Sequence, residues 1–202
     1  PQPRALRQLD VFGYPGATAA GWGRLPAEGL RPWLAPDAYD LVVMAYGTNE
    51  GNATPFDAAA YQQSVTAAVA NLRAAFPAAR CVLIGPGDRG VLLRRSQKAR
   101  GAAASRRAAP AVAPAALLRY TRVHESIASM QQQAAQAAGC AFWSPLQAMG
   151  GPGSAYRWAR AGLMAPDLIH FTVAGYQQLA RDFAAAVGWS AATVLPARPP
   201  VR

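Results

Sequence analysis

The chain has 202 residues, 52% of them hydrophobic, which suits one domain with a full core and excludes a disordered polymer. No run of about 18 uncharged apolar residues occurs, so no membrane span is expected, and no signal peptide is visible. The 20 Lys and Arg against 10 Asp and Glu give a formal charge of +10, an excess that favours anionic polymers or surfaces.

The first apolar run, "LDVFGY" at 9–14, reads as a strand, and Pro15-Gly16 turns the chain after it. "DLVVMAYG" at 40–47 is a second strand, stopped by the polar cluster Thr48, Asn49, Glu50, Gly51 and Asn52. A helix follows over 57–76, with Asp57 as its cap and Tyr61, Val65, Val69, Leu72 and Phe76 on its apolar face. "CVLIGP" at 81–86 is a third strand. The stretch 94–107 then carries six basic residues and no acid. It is either a solvated loop or a contact for an anionic polymer; with no aromatic residue to stack bases, nucleic acid is not expected.

A second helix runs over 117–138, with Tyr120, Val123, Ile127, Met130 and Ala134 facing inward and Gly139 ending it. His124 in that helix is read as a surface histidine. "CAFWS" at 140–144 is the fourth strand. The Gly-rich loop 148–158 is a candidate pocket wall, where Tyr156 or Trp158 either meets a sugar face or simply packs. The last helix covers 173–187, capped by Thr172 and burying Tyr176, Leu179, Ala180, Phe183 and Val187. Residues 1–189 form one domain and 190–202 a loose tail. Cys81 and Cys140 lack metal-ligand spacing. They are expected as buried free thiols, with a disulfide the alternative in an exported protein. Nothing in the sequence asks for a metal or an organic cofactor.

Near-continuous apolar strands alternating with helices give an α/β fold with a parallel sheet. In such sheets, ligands sit beyond the carboxyl ends of the strands, which selects three loops. In "APDLIHFTVAGY" (165–176), Asp167 and His170 are three apart. A carboxylate there would fix the imidazole tautomer and stabilise the imidazolium of a general base. In "YGTNEGN", the Asn49 amide is a candidate donor to an oxyanion, and in "GYPGATA" the Gly16 N–H is another. Each loop also reads as an ordinary turn when taken alone.

Taken together, "GYPGATA", "YGTNE" and "DLIH" resemble, in order, the second, third and fifth sequence blocks of the SGNH hydrolases, also called GDSL esterases. The resemblance implies a flavodoxin-like three-layer α/β/α sandwich. It also implies Gly16 and Asn49 as the oxyanion hole, and Asp167 and His170 as acid and base. Glu50 stands where Asp is commoner. "GCAFWSPLQAMGGPGS" and "APDLIHFTVAGYQQLA" further resemble envelope enzymes that remove O-acetyl groups from peptidoglycan or other polysaccharides. That implies an acylated carbohydrate substrate and a periplasmic or secreted location.

The family's Gly-Asp-Ser block, which supplies the nucleophile from the first strand, has no counterpart among the eight serines. "GDRG" at 87–90 has Arg89 where serine would stand, and no G-x-S-x-G elbow exists. The expectation is that the nucleophile, and the central first strand of the sheet, lie upstream of Pro1. Ser144 and Ser154 are the alternatives for a relocated nucleophile. An inactive glycan-binding domain and a non-functional fragment are the alternatives for the whole chain.

Overall fold

A computed structural model describes residues 9–25, 28, 39–92 and 115–189. The basic stretch 94–107 and the tail 190–202 lie outside them. Three strands, β1 (Leu41–Ala45), β2 (Arg80–Ile84) and β3 (Ala141–Trp143), form a parallel sheet in the order β1-β2-β3. The helices are α1 (Ala19–Gly23), α2 (Ala58–Ala75), α3 (Arg119–Ala137), α4 (Pro145–Ala148), α5 (Ser154–Arg160) and α6 (Val173–Ala186).

The local signals in the sequence do what their chemistry predicts. Asp57 accepts the Ala60 N–H at 2.9 Å and Thr172 accepts the Gly175 N–H at 3.2 Å, capping α2 and α6. Gly139, at φ +67°, takes the left-handed turn that ends α3, and the Cys140 N–H closes back on the Ala135 carbonyl at 2.8 Å. Arg73, in the last turn of α2, donates to the Ala79 carbonyl at 2.7 Å and so ties the helix to the start of β2.

The sheet separates two apolar cores. Val42, Met44, Cys81, Leu83 and Phe142 face α2 and α3. Trp143 faces the other way and packs against Phe183 of α6, beside the cluster of Met149, Ala155, Trp158, Met164 and Leu179. Alternate residues of a strand point to opposite faces, so this is a three-layer α/β/α sandwich on a parallel sheet, as expected. β2 is its central strand, which is why Cys81, Val82 and Leu83 are buried in succession.

Several expectations need correction. Residues 9–14 are not a strand. They lie in irregular backbone, with Leu9, Val11, Phe12 and Tyr14 all exposed. A strand needs a hydrogen-bonding neighbour, and among the described residues β1 pairs with β2 alone. The inward face of α3 is also rotated by about one residue from the predicted stripe. It buries Thr121, His124, Ile127 and Gln131, with Tyr120, Val123 and Met130 at its margin. His124 is only 1% exposed, not a surface residue. The reason is polar. Thr121 donates to Asp88 at 2.6 Å, the His124 Nδ1–H to the Gly87 carbonyl at 2.7 Å, and Gln131 to the Tyr46 carbonyl at 2.9 Å. This stripe satisfies groups at the ends of β1 and β2 that the sheet leaves unpaired. In α6, Leu179 is buried as expected, whereas Tyr176 and Ala180 are exposed. Finally, the cysteines are joined. Cys81 and Cys140 immediately precede the register pair Val82↔Ala141 on neighbouring strands, and their Cα atoms are 4.8 Å apart in a disulfide.

Candidate active site

The loop after β1 is held by Glu50. One carboxylate oxygen accepts the Ala19 N–H at 2.7 Å and the other the Gly47 N–H at 3.0 Å, which clamps the 14–19 segment to the strand end. Gly47 has φ +114°, and a Cβ there would lie 2.8 Å from Ile127 Cγ2, so only glycine fits. Asn49, next to the clamp, donates from Nδ2 to the Ala17 carbonyl at 2.8 Å. The second N–H of that amide is left for another acceptor. Gly16, at φ +77°, lies on the exposed turn closed by the Ala17 N–H to Tyr14 carbonyl bond. Asn49 and the Gly16 turn are thus brought together. A cavity of about 280 Å³ beside them is lined by Phe12, Tyr14, Ala45, Gly47, Asn49 and Gly85 among others.

Asp167 and His170 are brought together as well. His170 Nδ1 lies 2.7 Å from Asp167 Oδ2, while Asp167 Oδ1 accepts the N–H groups of Ile169 and His170 at 2.9 and 3.0 Å. These bonds, the one from the His170 ring first, hold the Asp167 carboxyl down at about 2, so it is ionised at any ordinary pH. The ring therefore carries its proton on Nδ1 and presents Nε2 outward; the side chain is 72% exposed. The turn itself is strained at Leu168, a non-glycine residue at φ +59°. It is fixed by the Gly90 N–H to Leu168 carbonyl bond at 3.0 Å and by the Ala165 N–H to His170 carbonyl bond at 2.8 Å.

The sequence profile of the GDSL-like lipase/acylhydrolase family matches residues 2–178. The chain belongs to that family. Among solved structures it is similar to a peptidoglycan O-acetylesterase, with 27% identity and a TM-score of 0.62 over 86% of this chain and 43% of that one. It therefore spans less than half the length of that protein. It also matches a native aryl esterase of M. smegmatis at 16% identity and a TM-score of 0.45, over 83% of this chain and 68% of the other. No curated protein matches.

In this GDSL-like chain, neither alternative serine hydrogen-bonds to His170. Ser144 caps α4, accepting the Gln147 N–H at 3.2 Å, and Ser154 is fully buried against Asp88 at 3.3 Å. The aromatic residues of 148–158 are structural. Trp158 is buried and donates to the Met149 carbonyl at 3.0 Å. The Tyr156 hydroxyl accepts the Val91 N–H at 2.8 Å and donates to the Leu117 carbonyl at 3.1 Å. Among the described residues, no three His, Cys, Asp or Glu side chains are grouped to hold a metal, and no helix is long and apolar enough to cross a membrane.

Sequence reasoning missed two residues that bond to the loop after β1. Glu50 reads in sequence as a mild departure from Asp, yet it anchors the loop that carries Asn49. Arg89 reads as a misplaced residue in "GDRG". Its Nη1 donates to Asn52 Oδ1, and its Cζ lies 4.1 Å from the Tyr120 ring centroid. A signal for Glu50 was present: an acid three residues after Gly47 can reach back to the amides at a strand end, as capping acids do.

Proposed function

We propose that the protein is a serine esterase that removes a short acyl group, above all O-acetyl, from an envelope carbohydrate. Its serine would come from sequence upstream of these 202 residues. The observation that carries this reading is the 2.7 Å Asp167–His170 contact, with the imidazole's other nitrogen turned outward. A pure binding domain has no use for a base so oriented. The similarity to a peptidoglycan O-acetylesterase supports the substrate class. The disulfide supports an oxidising, exported location.

The chemistry this reading implies runs through an acyl-serine. The serine hydroxyl attacks the acyl carbon while His170 Nε2 takes its proton. Asp167, already ionised, stabilises the imidazolium that forms. The carbonyl oxygen becomes an oxyanion, met by the spare Asn49 N–H and the Gly16 N–H. One such donor lowers the barrier by about 2.7–4 kcal/mol. As the tetrahedral intermediate collapses, His170 returns the proton to the departing sugar oxygen. Water then repeats the sequence, with His170 again as base, and releases the acid.

A cavity of about 280 Å³ at the carboxyl end of β1, next to Asn49, supports a serine-bearing turn arriving there. Among the described residues β1 pairs with β2 alone, which also supports the reading. The test is turnover of p-nitrophenyl acetate by the longer protein that includes the upstream sequence. His170→Ala is expected to reduce kcat by roughly 10³-fold or more. Unchanged turnover would refute the assignment. Serine-dependent turnover by the 202 residues alone would refute the upstream nucleophile.

A further inference from the structure

Arg89 follows β2 and Arg119 opens α3, yet both guanidinium groups lie on the ring of Tyr120. Their Cζ atoms are 4.1 and 4.7 Å from its centroid, and Arg119 also donates to the Tyr120 hydroxyl at 3.2 Å. The electron-rich face of the ring attracts each cation. The two cations repel one another, and among the described residues neither forms an ion pair. Burial pushes the Arg89 guanidinium below the ordinary arginine value, and Arg119 pushes the same way. Arg89 Nε is buried without a hydrogen-bond partner, so part of its planar fork is unsatisfied.

The pair also has a definite place. Through Asn52, Arg89 is bonded to the same turn that presents Asn49. Asp167 is close enough to act on the Arg89 charge. Its charge supports the Arg89 cation, as Tyr120 does, but its oxygens accept from His170 and the Ile169 amide and it forms no ion pair with Arg89. Two guanidinium groups with no ion pair among the described residues therefore share one ring, and one of them is bonded to the Asn49 turn and within electrostatic reach of Asp167.

We propose that Arg89, Arg119 and Tyr120 form a subsite for an oxyanion carried by the substrate, a carboxylate or phosphate on the carbohydrate that bears the acyl group. A guanidinium fork suits either group, with charge-assisted bonds that a neutral sugar cannot make. Arg119, being exposed, lets such a group approach from solvent. Calling the ligand a substrate rests on the esterase reading; the binding does not.

The experiment is an NMR titration of the intact protein with methyl glycosides of glucuronic acid, glucose 6-phosphate and glucose. The charged sugars are expected to bind about tenfold or more tightly than glucose. That advantage should shrink as salt is raised. Arg89→Gln and Arg119→Gln should each remove most of it. Whichever charged sugar binds better identifies carboxylate or phosphate as the natural group. Equal binding of all three, or a preference that survives both substitutions, overturns the proposal. Arg119 is exposed, so its variant folds even where loss of Arg89 disturbs the packing. Turnover of p-nitrophenyl acetate, which carries no anion, tests the esterase reading separately. Charge preference without turnover sinks that reading and leaves the subsite; turnover without preference does the reverse.

Discussion

His124 is neutral where it lies, and this fixes how it answers to acid. Its Nδ1–H is spent on the Gly87 carbonyl, and its Nε2 is buried without a partner against Gly51, where an added Cβ would be only 2.4 Å away. Burial lowers its pKa below 6.5, with the Gly87 bond and Asp88 acting upward and Arg89 downward. The unfolded chain takes up a proton near pH 6.5 and the folded chain only at lower pH. Stability is therefore full above pH 6.5 and is lost as pH falls from there towards the folded value. One such group contributes a slope of at most about 1.4 kcal/mol per pH unit. Denaturant unfolding at pH 7.5 and 5.0 measures it. His124→Gln, which keeps a donor for Gly87 but cannot titrate, should flatten the slope, and an unchanged slope would assign the effect elsewhere.

At the scale of elements, the loop after β1 and the segment before α1 form one unit because a single carboxylate holds both. The substitution Glu50→Gln leaves one oxygen to serve two amides, those of Ala19 and Gly47. The expected loss is about 1.5–3 kcal/mol of stability, since hydrogen bonds to a charged group are involved. In a protein that carries the proposed upstream serine, kcat should fall more than KM rises, because Asn49 is displaced. Undiminished stability in the Glu50→Gln variant would show that the clamp is incidental. The same unit shows what sequence can and cannot convey. Strands β1 to β3, helices α2, α3 and α6, and the caps Asp57 and Thr172 are legible because local chemistry determines them. So is the pairing of Asp167 with His170, three residues apart in one turn. Not legible are contacts whose partners are far away in sequence. His124 and Gln131 are buried because strand-end carbonyls need donors, a demand that helical periodicity does not carry. Residues 9–14 have the composition of a strand, but a strand also requires a neighbour.

Across the molecule, the disulfide joins β2 to the residue before β3, and its effect belongs to the whole fold. Two cysteines 59 residues apart in sequence become direct neighbours only once β2 and β3 pair in the register Val82↔Ala141, so the bond reports the topology. Bridging a loop of this length removes unfolded-state entropy and stabilises the fold by about 2–4 kcal/mol in the loop-closure account. The chain has only these two cysteines, so a reductant acts on this bond alone. The reduced protein should unfold at a Tm lower by roughly 5–15 °C, and the Cys81→Ser, Cys140→Ser double variant should unfold there with or without reductant. β2 and β3 also pair through backbone bonds and pack Phe142 and Trp143 into the two cores. The reduced chain should therefore keep its far-UV circular dichroism at 25 °C and lose only its margin against heat. An equal Tm with and without reductant would mean that the sheet and its cores fix the register unaided, and that the bond adds nothing to the fold's stability.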